Sequence, residues 1–180
     1  CNPWDLSATG PTVIEFSAFA NRHFVHQASH SFIGDVGAGI QALSENVTLD
    51  STWPNGELEK PQAALWKAFP SGEVWGPSAV IDVCRDALPR ETVAAVDTGA
   101  HRILLAQLWL CYSPRTLLQS TALCTMGTAV PLAAGYKLAS PKTTVVAFSG
   151  DAGLEMVLGE LATLRDMNIN IPIVVFVDAS

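Results

Sequence analysis

Two aspartates at the ends of predicted strands are the residues of this sequence best placed to do chemistry. Asp151 lies in the turn S-G-D-A-G between an apolar run and a helix, and Asp178 follows the next apolar run, 27 residues later. Since the carboxyl ends of neighbouring parallel strands meet at one edge of a sheet, we expect both carboxylates to reach the same ion. Hard oxygen ligands beside a phosphate-binding turn are typical of a magnesium site. The alternative is that each aspartate only caps a helix or a turn.

Two patterns nearer the start of the chain offer weaker chemistry. His23, His26 and His30 are spaced to share one helix face, but apolar residues interleave with them and no carboxylate lies nearby, so a metal site is the less favoured interpretation. The segment G-D-V-G-A-G resembles a phosphate loop only loosely, because its glycine order differs and we expect no strand to run directly into it. We favour a helix capped by Asp35 and running to Glu45.

The composition indicates an acidic globular protein. Of the 180 residues, 49% are hydrophobic and 15% are charged, which excludes a disordered chain and predicts a large core. The net charge of −7 argues against nucleic acid or an anionic membrane as a partner. No apolar stretch is long enough to span a bilayer, so we expect a soluble protein. The 4 cysteines lack C-x-x-C spacing and indicate reduced thiols of a cytoplasmic protein.

Strand-like and helix-like segments alternate along the second half of the chain. The strands are continuous apolar runs, which is typical of a parallel sheet buried on both faces. The fold class is therefore predicted to be α/β, with a doubly wound parallel sheet. The predicted elements are helix 78–88, strand 92–97, helix 99–110, strand 116–120, helix 127–139, strand 143–149, helix 153–167 and strand 172–177.

Residues 46–77 separate two regions of different composition. They are rich in proline and glycine and contain three tryptophans, which is typical of a linker that packs on a neighbouring domain. We expect one short helix in it, near residues 62–68. The strand-like run 12–17 would belong to a separate region before the linker. Because the chain starts without Met and stops directly after an apolar strand, we expect it to be an internal piece of a longer protein.

Three sequence blocks after the linker resemble one enzyme family. The first is D-T-G-A-H-R-I-L-L-A-Q-L-W, similar to the segment D-V-G-Q-H-Q-x-W-A-A-Q of acetolactate synthases. The second is P-R-T-L-L-Q-S-T-A-L-C-T-M-G-T-A-V-P-L-A-A-G, similar to their P-R-x-W-L-x-S-x-G-L-G-T-M-G-x-G-L-P-A-A-I-G. The third runs from S-G-D-A-G-L-E-M to V-V-F-V-D-A-S and resembles the thiamine diphosphate-binding motif, which begins at G-D-G and ends at a pair of Asn. The blocks follow the family order.

The resemblance implies a domain layout and a function. Residues 78–180 would form a truncated thiamine diphosphate/magnesium-binding domain, residues 51–77 the linker, and residues 1–50 the C-terminal part of the family's central α/β domain. The sheet would thus be incomplete. The implied function is a thiamine diphosphate- and Mg²⁺-dependent lyase or transferase that decarboxylates a 2-oxo acid, with or without carboligation. The alternative is a non-catalytic or degenerate cofactor-binding module of the same fold.

The resemblance also assigns site residues by position. Asp151 and Asp178 match the two side-chain ligands of magnesium, and the backbone carbonyl of Ser180 matches a third ligand. Met126 matches the apolar wedge that bends the cofactor, and Cys124 matches a glycine whose backbone contacts the aminopyrimidine. The full cofactor-binding set is Thr98, Gly99, Ala100, His101, Cys124, Met126, Gly150, Asp151, Ala152 and Gly153.

Some features of the family pattern are changed or missing. Ala100 stands for Gln, Cys124 and Ala152 for Gly, and Asp178 for Asn, which favours a divergent member of the family. The family's activating glutamate lies in an N-terminal domain that packs on a second subunit, and no segment here matches it. The resemblance therefore implies a homodimer or homotetramer whose second subunit completes the site, and it places no catalytic residue in this chain.

Overall fold

The computed structural model describes residues 12–21, 28–48, 53, 55–69 and 75–177. They divide into two compact units, and the boundary follows Pro54. This boundary falls inside the region predicted as a linker. The assignment of the two units to particular domains of the family stays a prediction.

Unit 1 contains a pair of parallel strands and one helix. Strand β1 (Ile14–Ser17) pairs with β2 (His30–Ile33), and helix α1 (Val36–Ser44) follows β2. The Asp35 carboxylate accepts a hydrogen bond from the N–H of Ala38 at 2.8 Å, which confirms the predicted N-cap of this helix.

Strand β2 corrects one expectation about the glycine segment. It runs directly into Gly34, so the prediction that no strand leads into G-D-V-G-A-G is wrong. The strand was missed because its four residues begin with the polar pair His30 and Ser31, which hides the apolar signal. His30 therefore lies in a strand, while His23 and His26 lie outside the described residues.

Unit 2 is an α/β layer structure around a four-stranded sheet. The strand order is β4-β3-β5-β6 and every pairing is parallel, which confirms the predicted fold class. Its elements are α2 (Glu59–Ala68), α3 (Pro77–Ala87), β3 (Val93–Val96), α4 (Ala100–Leu108), β4 (Leu117–Gln119), α5 (Ala129–Ala139), β5 (Val145–Gly150), α6 (Asp151–Glu155), α7 (Gly159–Asp166) and β6 (Ile173–Phe176).

Helices cover both faces of this sheet because alternate strand residues point to opposite sides. Val93 and Ala95 of β3 belong to the core that contains buried alanines of α5 and Leu164 of α7. Ala94 and Val96 belong to the opposite core, which is built from α3 and α4. The sheet is therefore doubly wound. No helix within the described ranges has both the length and the apolar character needed to cross a bilayer.

The predicted helix 153–167 is two helices. A turn over residues 156–158 separates α6 from α7, and it contains hydrogen bonds from the N–H of Val157 to the carbonyl of Leu154 and from the N–H of Glu160 to the carbonyl of Val157. Such i to i−3 bonds tighten the backbone relative to an α-helix. The apolar periodicity continues through the turn, so the sequence pattern does not reveal the break.

Truncation of the core on the α4 side should destabilise unit 2. Leu105 is fully buried, so Leu105→Ala should lower the free energy of unfolding by about 2–5 kcal/mol through lost burial and a cavity. Ile103, on the same helix, is 64% exposed, and Ile103→Ala should change it by about 0.5 kcal/mol or less. Urea denaturation of both variants measures the difference. Similar losses in the two variants would contradict the assigned burial.

Candidate functional site

A cavity of about 410 Å³ lies at the carboxyl ends of β3, β5 and β6. This is the edge where ligands bind in parallel α/β sheets. Its wall contains nine of the ten residues predicted to bind the cofactor, namely Thr98, Gly99, Ala100, His101, Met126, Gly150, Asp151, Ala152 and Gly153. The structure thus brings together three segments that are far apart in the sequence. The individual roles of these residues stay a prediction.

Sequence reasoning assigned no role to Asp97, which is buried behind this wall. Its Oδ1 accepts hydrogen bonds from the N–H groups of Thr98 at 2.8 Å and Thr128 at 3.2 Å. Its Oδ2 accepts from the N–H of Gly127 at 2.9 Å and the hydroxyl of Ser149 at 3.1 Å. Helix α5 begins at this point, and a carboxylate is favourable at a helix N-terminus. An acidic residue directly after the all-apolar strand V-A-A-V was the available signal.

Two glycines allow the loops to approach one another. A Cβ at Gly153 would overlap Oδ2 of Asp97 and lie 3.1 Å from the Ser149 hydroxyl oxygen. Gly127 has φ +79°, and a Cβ there would lie 2.9 Å from Cγ1 of Val157. Both positions therefore require glycine, one for close approach and the other for backbone conformation and space.

His101 lies in the first turn of α4 and is buried against β6. Its ring stacks on Phe176 with a centroid distance of 5.4 Å. Burial lowers the pKa of His101 from its ordinary value, and the negative charge of Asp97 opposes this in part. His101 is therefore neutral at neutral pH. Its Nε2 is buried and finds no hydrogen-bond partner within the described ranges, which is an unfavourable state for a polar atom.

Asp151 is the described member of the predicted metal pair. It begins α6 and is half-buried, and its Oδ1 accepts a hydrogen bond from the N–H of Ala152 at 2.8 Å. Asp178 and Ser180 lie outside the described residues, so the meeting of the two aspartates stays a prediction. Over the described ranges, no three His, Cys, Asp or Glu side chains gather in a way that could bind a metal.

Cys124 is the predicted cofactor residue that does not line the cavity. Its Sγ accepts a hydrogen bond from Nη1 of Arg102 at 3.1 Å, and the same guanidinium donates from Nε to Oε1 of Gln119 at 2.9 Å. The backbone of Cys124 has φ +51°, in the left-handed region that favours glycine. The chain thus retains a glycine-like conformation at this position while the thiol lies against Arg102.

The buried imidazole predicts a pH effect on stability. Because folding lowers the pKa of His101 below 6.5, the unfolded chain binds more protons as the pH falls through and below this value. The contribution of the neutral His101 ring to the free energy of unfolding is therefore fully present above pH 6.5, and it is lost as the pH falls below this value. The loss of unfolding free energy between neutral and mildly acidic pH should be smaller in His101→Asn. His30→Asn, on exposed β2, is the control and should follow the wild type. Identical pH profiles for wild type and His101→Asn would contradict this.

The close approach at Gly153 predicts a position-specific cost for a methyl group. Gly153→Ala should lower the free energy of unfolding by about 1–3 kcal/mol, because the Cβ must displace Asp97. Gly159→Ala is the matched control, since no described atom beyond its chain neighbours and its own helix backbone lies within 4 Å of its Cβ position. It should leave stability unchanged or raise it by up to about 1 kcal/mol. Urea denaturation measures both, and a tolerated Gly153→Ala would show that the two loops do not touch.

Comparisons with known proteins address the cavity segments directly. Residues 97–180 match the family described as "Thiamine pyrophosphate enzyme, C-terminal TPP binding domain". The chain is 30% identical over 167 residues to the mitochondrial acetolactate synthase catalytic subunit of Aspergillus candidus, which covers 86% of this chain and 24% of that protein. It is 33% identical over 145 residues to the acetolactate synthase large subunit of Lactococcus lactis, which covers 79% of this chain and 25% of that protein.

A third relative is the acetolactate synthase isozyme 2 large subunit of Escherichia coli, 27% identical over 155 residues, with 86% of this chain and 28% of that protein covered. The chain thus spans about a quarter of the length of these curated relatives. The similarity runs through the strand-end segments that form the cavity wall. The chain therefore belongs to the acetolactate synthase-like family of thiamine diphosphate-dependent enzymes.

Proposed function

We propose that the protein binds thiamine diphosphate with Mg²⁺ in the cavity at the ends of β3, β5 and β6, and uses the cofactor in a reaction of a 2-oxo acid. The observation that carries this proposal is the composition of the cavity wall. It combines a helix N-terminus, a buried imidazole, one carboxylate and several apolar side chains, with no Lys or Arg among the described residues that line it.

The first turn of α4 suits a diphosphate group. Its N-cap Gly99 has no side chain to cap the helix, so the first N–H groups of α4 remain available to an anion. A side chain at this position would meet the ring of His101, with 2.6 Å from the added Cβ to Cε1. The bare backbone N–H groups therefore fit a ligand that offers hydrogen-bond acceptors, and phosphate oxygens are such acceptors.

The charge balance of the wall supports a divalent cation. A diphosphate brings more negative charge than one helix N-terminus compensates, and the described lining residues supply no Lys or Arg side chain. Among the described residues, Oδ2 of Asp151 receives no hydrogen bond, so this oxygen is available as a ligand. Carboxylate, phosphate and water oxygens form the donor set that Mg²⁺ prefers. We infer that Asp178 and the carbonyl of Ser180 complete the protein ligands.

The remaining wall suits the apolar parts of a cofactor. Leu104, Met126 and Phe176 also line the cavity. Met126 is 38% exposed, and its unbranched thioether side chain adapts to the shape of a ring system. These residues would orient the rings and exclude water from them.

When bound, thiamine diphosphate supplies the electron sink for breaking or forming a carbon–carbon bond beside a 2-oxo carbonyl. We infer decarboxylation with or without carboligation, because the relatives are named acetolactate synthases. The residues of this chain would anchor the diphosphate and the metal. A second subunit of a homodimer or homotetramer would supply the activating glutamate.

The free thiols of Cys84, Cys111 and Cys124 support the inferred cytoplasmic location.

The metal assignment predicts a selective effect of one carboxylate. In calorimetric titrations of the full-length protein with thiamine diphosphate, Asp151→Ala should raise the Mg²⁺ concentration for half-maximal binding by about tenfold or more. Glu160→Ala removes a half-buried carboxylate from the first turn of α7 and should leave that concentration within about twofold of wild type. Equal effects of the two changes would refute the assignment.

The same titrations test the function itself. Failure of the wild-type protein to bind thiamine diphosphate with Mg²⁺ would end the proposal of an enzyme. Binding without turnover of any 2-oxo acid would instead identify a non-catalytic module of the same fold.

A further inference from the structure

We propose that Asp97 is a positioning residue that holds Met126 at the cofactor cavity, acting through the backbone of the segment 125–128. The link to the cofactor rests on the proposed function, whereas the hold on the segment does not. Asp97 itself does not line the cavity, since it is fully buried behind β3 and the loop after β5.

The carboxylate contacts the two residues that follow Met126. Its Oδ2 accepts from the N–H of Gly127 at 2.9 Å, and its Oδ1 accepts from the N–H of Thr128 at 3.2 Å. On the other side of Met126, the carbonyl of Thr125 accepts a hydroxyl hydrogen bond from Thr98 at 3.3 Å. Met126 is therefore tied on both sides to residues at the end of β3.

The side chains before Gly127 add little to the restraint of this segment. All six residues from 121 to 126 are exposed, so side-chain burial contributes little to their order. The first described residue of the loop that is buried is Gly127, which is also the residue bonded to Asp97. We conclude that the hydrogen bonds to the carboxylate, together with the packing of Gly127 on Val157, determine where the backbone of Met126 lies.

The chemistry of the contacts requires Asp in preference to Asn. Three backbone N–H groups surround the carboxylate, two on Oδ1 and one on Oδ2, and an N–H group can only donate. An asparagine in either orientation would direct its amide hydrogens at one of these donors. Asp97→Asn therefore preserves the shape of the side chain while it breaks at least one buried hydrogen bond.

The first experiment is backbone amide hydrogen exchange of the full-length protein without cofactor. Asp97→Asn should raise the exchange rate of the Gly127 amide when the new NH2 group replaces Oδ2, or of the Thr128 amide when it replaces Oδ1. The rise at the affected amide should be about tenfold or more, the factor expected for loss of a hydrogen bond to a charged group. Asp86→Asn, an exposed change on α3, is the matched control and should leave these rates unchanged. Ser149→Ala removes one hydroxyl donor and retains the carboxylate, so it should raise the exchange rates of the Gly127 and Thr128 amides by a smaller factor. This variant replaces Asp97→Asn as the test if Asp97→Asn does not fold.

The second experiment measures thiamine diphosphate affinity by calorimetry at saturating Mg²⁺. Asp97→Asn should weaken binding by about tenfold in the wild-type background and by less than about twofold in a Met126→Ala background, because coupled residues give non-additive effects. A merely structural role for Asp97 would give equal losses in both backgrounds. Ser149→Ala in the same two backgrounds repeats the comparison with a milder change.

The outcomes separate this inference from the proposed function. Unchanged exchange at Gly127 and Thr128 in Asp97→Asn overturns the hold on the segment. Faster exchange with unchanged cofactor affinity, or with equal losses in both backgrounds, overturns the link through Met126. If wild type binds no thiamine diphosphate, the proposed function fails, and the exchange rates alone support or overturn the role of Asp97 in holding the segment.

Discussion

A buried carboxylate at the end of β3 joins the loops that form the cavity. Asp97 receives hydrogen bonds from the loop after β3, from the start of α5 and from the end of β5. Removing a charged group from water is costly unless hydrogen bonds replace the lost solvent. The three segments supply these hydrogen bonds only when they converge on the carboxylate of Asp97. The position of the cavity wall thus follows from satisfying one buried charge.

The wall that results has an unusual charge balance for a site that would hold a polyanion. Its described residues include Asp151 but no Lys or Arg, and the protein as a whole carries a net charge of −7. The proposed anion binding would then depend on backbone N–H groups and on a divalent cation. Two departures from the family pattern are compatible with this arrangement, since Ala152 is exposed and Cys124 keeps the left-handed backbone of a glycine.

Prediction from sequence worked best where local signals agreed. Helix α1 was predicted from the Asp35 cap, and strands β3, β5 and β6 of unit 2 were predicted because their cores are continuous apolar runs between turns. Strand β2 was missed because half of its residues are polar, and the break between α6 and α7 was missed because apolar periodicity runs through it. In both cases the structure depends on pairing and packing with other segments, which a local pattern does not record.

The sequence by itself determined the class of fold, the strand ends that carry the site and the family, because these follow from local periodicity and contiguous motifs. The tertiary structure alone decided the role of the groups behind the wall. Gly127 and Ser149 donate to Asp97 across separations of 30 and 52 residues, and Phe176 meets His101 from a different strand. Such contacts depend on how the β-α units wind around the sheet. Residue type and spacing place groups near an edge, but only the folded chain shows which donor reaches which acceptor.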